Sequence, residues 1–291
     1  ENFHHIKISD TILKELINLV DQHIKNRTYP DKAIDILDLS CVKAKFYHEQ
    51  ELTKIRIIET VEKYLNITIH QQINKKTLEK QLNKNIFGQE KAIHQLVQTL
   101  ETKKLPHSFF LYGQESTGKT TTAKILAREL NYHYLKLDMN QYKDIHAYYK
   151  LIGNNQEPSI LLSTLQSTPH TVLYLKNIDQ ANEEIIHLIS QILEEGYYED
   201  SKKRKISFEN VIIILSQTNI THRLGFKKNK TIHPRHPLLS KVDQVIEYQP
   251  LSKETIEKII SKKQPNSSNK LHSLIQKEKN PTLSHILKQM S

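Results

Sequence analysis

Cysteine is nearly absent: Cys41 stands alone among 291 residues. That excludes an internal disulfide framework and fits a reducing compartment, the cytoplasm or an equivalent organelle matrix. No apolar run approaches the roughly 18 residues of a membrane-spanning helix. The amino end, Glu1-Asn-Phe-His-His5, is no signal peptide, and without an initiator Met it is expected to be a trimmed or fragment end. The sixteen histidines include no His-Glu-x-x-His or other metal-ligand spacing, so they are expected at surface and packing positions. Glycine is scarce too, at six residues, which gives weight to where each one falls.

Charge is plentiful, 42 Lys and Arg against 32 Asp and Glu for a net +10, but it is spread along the whole length. This favours a Lys/Asn/Ile composition bias over a nucleic-acid footprint. Even Arg204, inside Lys202-Lys-Arg-Lys205, is better explained as a solvated hairpin tip.

Two of the six glycines bracket one loop, Gly113-Gln114-Glu115-Ser116-Thr117-Gly118-Lys119-Thr120, followed by Thr121. It fits the phosphate-binding pattern G-x-x-x-x-G-K-[ST], and the flanks supply the required context, with an apolar strand before it and an amphipathic helix after it. The two glycines let the backbone turn its N–H groups into one concavity, to which the helix start adds partial positive charge. Lys119 is expected to reach the β- and γ-phosphates of ATP or ADP, and the Thr120 hydroxyl to ligate Mg²⁺. A chance match in a polar loop would not carry both flanks.

Before this loop the chain reads as helical. Residues 11–26 place Ile12, Leu13, Leu16, Ile17, Leu19, Val20 and Ile24 at helical spacing. A second helix begins near Pro30 with Ala33, Ile34, Leu37 and Cys41 expected on one buried face, and a third spans residues 52–65 through Ile55, Ile58 and Val61. Residues 67–69 read as a brief extended segment, and residues 71–85 as a linker with a helical second half anchored by Leu78 and Leu82. From residue 86 strands and helices alternate, the sign of a parallel sheet covered by helices. Strands are expected at residues 109–112, 133–137, 171–175, 211–215 and 245–248. Helices are expected at 90–100, 120–130, 160–166, 182–195 and 253–261. Beyond Lys262 the chain turns polar, with a weak amphipathic helix at its end.

Several segments, in this order, carry a resemblance: Tyr29-Pro-Asp-Lys-Ala-Ile-Asp35, Ile86-Phe-Gly-Gln-Glu-Lys-Ala-Ile93, the phosphate loop, Leu137-Asp-Met-Asn-Gln-Tyr142 and Leu151-Ile-Gly153. Together they resemble the Clp unfoldases of the AAA+ class, most closely the ClpA branch, from about residue 5 to about residue 255. No coiled-coil insertion separates the helix around Ala33 from that around Ile58, which speaks against the ClpB branch. The resemblance implies an α/β fold with a P-loop parallel sheet, preceded by a small, mostly α domain. Residues 1–75 would be the helical lid of a preceding nucleotide-binding domain whose large part is absent. Residues 76–250 would be a large AAA+ domain, and 251–291 a truncated segment. It also implies an ATP-hydrolysing subunit of a hexameric ring of Clp chains, which threads polypeptide substrates to a ClpP-type peptidase.

The departures from that family are as specific as the matches. The family's Asp-Glu pair, which anchors Mg²⁺ and activates the attacking water, falls on Lys176 and Asn177; Asp179 lies too far along to replace it. Mg²⁺ thereby loses its usual anchor. The polar sensor residue falls on Thr218 or, with a one-residue slip, Asn219. The trans-acting arginine falls on Lys241, which keeps the charge and loses the planar fork. The aromatic pore loop after Gly153 is missing. One peripheral feature survives: Leu224, Gly225 and Phe226 match the tripeptide with which such unfoldases dock on the peptidase, although a turn tucked onto the sheet explains it equally well. Two functions stay open from these residues: an ATP-binding Clp-type subunit with impaired hydrolysis, or an inactive pseudo-ATPase acting as a structural or docking element.

Overall fold

The computed structural model describes residue 4 and residues 6–24, 27–65, 75–102, 106–153, 159–199, 205–218 and 234–263. Helix α1 (Asp10–His23) starts at Ser9, whose hydroxyl accepts the Ile12 N–H at 3.3 Å, and buries Leu16 and Val20. With α2 (Asp31–Phe46) and α3 (Lys54–Leu65) it forms a small helical unit around Ile36, Cys41, Ala44, Ile57, Ile58 and Val61.

Two expectations about this unit need correcting. Of the face expected for α2, Cys41 is buried and Ala33 and Leu37 pack against the core, but Ile34 is 57% exposed; Lys32, Ile36, Ser40 and Ala44 are the other buried positions. Leu39, Val42 and Phe46 of the same helix are apolar and exposed as well. A lysine, Lys32, takes one of the buried positions. Its amine donates to Ile24 O at 3.1 Å and lies 4.1 Å from the centroid of the Tyr29 ring, so the charge remains solvated by protein groups. In α3, Ile55 likewise faces out while Ile58 and Val61 are buried.

Helices α4 (Lys75–Asn85) and α5 (Glu90–Thr102) lead into the sheet, α4 resting on Leu78 and Leu82. The strands are β1 (His107–Gly113), β2 (His133–Asp138), β3 (Thr171–Lys176), β6 (Val211–Thr218) and β7 (Gln244–Tyr248). All five expected strands form. They lie parallel in the order β2-β3-β6-β1-β7. The central strands read as continuous apolar runs because both faces are covered. Phe109, Leu111, Val172, Tyr174, Ile212 and Ile214 share one apolar cluster with α4, α5, α6 (Lys119–Leu130) and the helical unit. Phe110, Leu173, Leu175, Ile213 and Leu215 face the opposite layer, where α7 (Ile145–Ile152), α8 (Ile160–Ser167) and α9 (Glu183–Glu195) pack. Helix α7 escaped the sequence reading, being only two turns long with no strong start signal. A small hairpin, β4 (Tyr197–Glu199) with β5 (Lys205–Ser207), follows α9, and α10 (Lys253–Lys263) closes the described chain. The extended segment at 67–69, the Arg204 tip, Leu224-Gly225-Phe226, Asn219 and everything past Lys263 lie outside the described residues. Among the described residues no helix is long and apolar enough to cross a membrane, and no cluster of His, Cys, Asp or Glu could hold a metal ion.

Candidate functional site

Strand order places the site. The chain leaves β1 through residues 113–118, enters α6 and crosses to β2 at the far edge of the sheet, whereas β7 lies on the other side of β1. The carboxyl end of β1 is therefore a topological switch point, where open parallel sheets leave a crevice. Gly113 sits there at φ +147°, and a Cβ would lie 2.3 Å from the Tyr248 carbonyl oxygen; only glycine lets β7 pass that close. Gly118, at φ +111°, precedes α6, whose amino end has no side-chain cap and so leaves its first amides for an anion.

The loop is tied down from within. Thr117 Oγ1 donates to Gln114 O at 2.9 Å, and Thr122 Oγ1 donates to Gly118 O at 3.1 Å while lying 2.7 Å from the buried Tyr248 hydroxyl. Lys119 is buried, and its amine turns back into the loop, donating to Gly113 O at 2.9 Å and Gln114 O at 2.6 Å. Burial pushes its ammonium down to about 8; the Glu115 carboxylate opposes that shift and the Lys176 ammonium adds to it. A buried cation held by carbonyl oxygens, with a second cation near it, is a site short of an anion.

A cavity of about 360 Å³ opens over the loop. Loop residues 115–121 line it together with Lys176, Ser216 and Thr218, and Ile86, Phe87, Leu251 and Ile259, beside Asn85, add an apolar rim from before α5 and after β7. The sequence reading did not assign that rim to the site. Its only local sign was Gln89, whose buried amide donates to Gln249 O at 2.8 Å and accepts from Gln249 N at 2.9 Å, clamping the two rim segments together.

Lys176 and Asn177, where the resemblance sets an acidic pair, share one partner. Lys176 Nζ donates to Asp138 Oδ2 at 3.1 Å, and Asn177 Nδ2 donates to Asp138 Oδ1 at 3.2 Å. Asn177 is left-handed, at φ +56°, a conformation Asn tolerates well, and its Oδ1 accepts from Thr218 Oγ1 at 3.3 Å. Asp138 also accepts the Asn140 N–H at 3.2 Å. Burial raises the Asp138 pKa, but these hydrogen bonds and the Lys176 charge outweigh it, so the carboxyl lies below its ordinary range. Asp179 is exposed and engaged by Gln180 Nε2 at 2.8 Å. Lys241 is held inside its own chain, bonded to Ser190 Oγ and 2.7 Å from Glu194 Oε1.

The residues present do not fit a magnesium ion. Thr120 Oγ1, the hydroxyl that would ligate the metal, is 3.0 Å from the Tyr174 hydroxyl, which is 2.9 Å from Ser216 Oγ. The carboxylate beyond it, Asp138, is paired with Lys176 at 3.1 Å. Hard divalent cations need anionic oxygen, and on the β3 side Lys176 lines the cavity with an ammonium.

Fold and loop together define a P-loop parallel sheet of the AAA+ type with a helical lid before it. A family model described as "AAA domain (Cdc48 subfamily)" matches residues 104–283 and one described as "AAA lid domain" matches residues 1–94, and the chain belongs to the AAA family. Its relatives are Clp ATPase subunits. The ClpE ATP-binding subunit of Bacillus subtilis (strain 168) is 25% identical over 90% of this chain and 50% of its own length. The ClpA homolog protein of Fuscovulum blasticum is also 25% identical, over 90% of this chain and 38% of its own. A closed-state structure of Hsp104 with ATPγS and FITC-casein superimposes with a TM-score of 0.79 at 20% identity, covering 100% of this chain and 60% of that one, a likeness of fold. The chain thus spans half or less of the length of these two curated relatives.

Proposed function

We propose that this chain is an ATP-binding, ClpA-like subunit of a Clp-type ATP-dependent protease, in which residues 113–121 hold ATP or ADP and hydrolysis is impaired. The observation that carries this reading is the contrast within one cavity: a phosphate loop complete in glycine, lysine and threonine shares it with Lys176, which is bonded, like its neighbour Asn177, to Asp138. The apolar rim formed by Ile86, Phe87, Leu251 and Ile259 suits a flat base, and the loop suits its phosphates. Without a carboxylate to orient water, bound nucleotide serves as a structural ligand. On this reading residues 1–75 are the lid of a preceding domain, 76–250 the large domain, and 251–291 the segment after it. Other Clp chains in a hexameric ring, polypeptide substrates and a ClpP-type peptidase met through Leu224-Gly225-Phe226 are its partners.

The pairing of Lys176 with Asp138 also favours a second reading, a pseudo-ATPase that fills a ring position or docks on the peptidase without turnover. One titration tests the shared core of both. Labelled ADP should bind wild type, and Lys119→Ala should abolish binding; equal binding to the two proteins, or none at millimolar concentration, refutes the phosphate site. Turnover separates the two readings, slow hydrolysis supporting the subunit and none supporting the pseudo-ATPase.

A further inference from the structure

We propose that this site takes its nucleotide without a divalent metal, with the Lys176 ammonium serving as the counter-cation of the phosphate chain. The inference rests on the nucleotide reading above and adds the form of the ligand: free ADP or ATP instead of its magnesium complex.

Lys176 lines the same cavity as residues 115–121 and is close enough to weigh on the charge of Lys119. It stands at the end of β3, two residues beyond Tyr174, whose hydroxyl reaches Thr120. A cation placed there and a cation from the loop would flank a polyphosphate from two sides, which is the task of a bridging metal in such sites. The amine is available for that task. Its pair with Asp138 is partly open to solvent on both sides, and such pairs are weakly held. When Lys176 turns to phosphate, Asp138 is not stranded, since it keeps the Asn140 N–H and the Asn177 amide. A lysine amine also has three donors and no fixed fork, which suits a shift between a carboxylate and a phosphate.

The experiment is equilibrium binding of labelled ADP to the full chain, with excess EDTA and with Mg²⁺. Wild type should bind no more tightly with Mg²⁺ than in EDTA, since Mg²⁺ draws ADP into a complex that the site does not take. Lys176→Ala should lose about tenfold in EDTA, the scale of one charge-assisted hydrogen bond. Asp138→Asn, which keeps the acceptor for Asn140 but frees the lysine, should bind more tightly in EDTA than wild type, a gain that misfolding does not produce. Binding at least tenfold tighter with Mg²⁺, or an Asp138→Asn variant with no gain, overturns the inference and leaves the nucleotide reading standing. No binding in either buffer overturns both.

Discussion

The imidazole of His23 lies parallel to that of His170, at 16° with ring centroids 5.2 Å apart, and Tyr132 meets His170 edge-on at 5.3 Å. His23 ends α1 in the helical unit and His170 precedes β3 in the sheet domain, so this stack joins the two units. Beside it Asn210 Nδ2 donates to Gln22 O at 2.6 Å, a second tie between them.

That junction should respond to pH. Burial, with His23 alongside, lowers the His170 pKa from 6.5 to about 3, and one backbone hydrogen bond opposes the shift. Because the folded value lies below the unfolded one, the unfolded chain binds the proton first as pH falls. Stability is therefore full above about pH 6.5 and drains between there and about pH 3, by about 2 kcal/mol on reaching pH 5. Melting temperatures from pH 7.5 to 5 should show this fall. His170→Phe should flatten most of it and leave the smaller part due to His236, whose pKa burial also lowers. An unchanged slope in His170→Phe would show that the stack is not the sensor.

Gly113 and Gly196 both have positive φ but should respond differently to alanine. At Gly196, after α9, a Cβ meets nothing within 4 Å, so Gly196→Ala should cost only the left-handed penalty of about 1–2 kcal/mol. At Gly113 the same atom would collide with the Tyr248 carbonyl, so Gly113→Ala must push β7 from β1 and should cost more than 3 kcal/mol, beyond ordinary substitutions. Chemical denaturation of the two variants measures the difference. Equal costs would mean that β7 yields easily and that the loop tolerates a displaced strand.

How much of this was legible in the sequence depends on where each signal resided. The loop from Gly113 to Thr120 and all five strands could be read because local pattern and tertiary role agree there. The outward place of Ile34 in α2 could not, since it is as apolar as the buried Ile36 while a lysine, Lys32, is buried instead. At the site, Lys176 and Asn177 could be named as departures, but their partner Asp138 could not. It comes from β2, and only the parallel register opposing Asp138 to Lys176 brings them together. Tyr174 was hidden as well, looking like one more apolar strand residue until its hydroxyl reaches Thr120 and Ser216.

The peptidase contact proposed for Leu224-Gly225-Phe226 can be tested by one substitution. An anchor that fills a partner's pocket contributes to binding and not to its own fold. Phe226→Ala should then leave the melting temperature unchanged and abolish co-sedimentation with a ClpP-type peptidase. A lower melting temperature with association intact would place the ring inside its own domain, where burial of this size is worth roughly 1.5–3 kcal/mol.

The final prediction concerns recovery of hydrolysis. Exchanging Lys176→Asp with Asn177→Glu restores the acidic pair by residue type, but the structure shows two obstacles. An aspartate at 176 would face Asp138 in place of the amine now 3.1 Å from it, turning an attraction into a repulsion between carboxylates. A glutamate at 177 would have to adopt the left-handed backbone that Asn177 holds at φ +56°, at about 1 kcal/mol or more. The double variant should therefore be less stable than wild type and hydrolyse ATP only when Mg²⁺ is present to draw the clustered carboxylates together. Adding Asp138→Asn removes the opposing charge while keeping an acceptor for the Asn140 N–H, so the triple variant should be the more active of the two and need less Mg²⁺. Steady-state phosphate release against Mg²⁺ concentration measures both effects, with wild type expected far below the order of 1 s⁻¹ common to working ATPases. A wild-type chain already turning over at that rate would show that water is activated without the missing carboxylates. A double variant as active as the triple one would show that Asp138 does not govern the position.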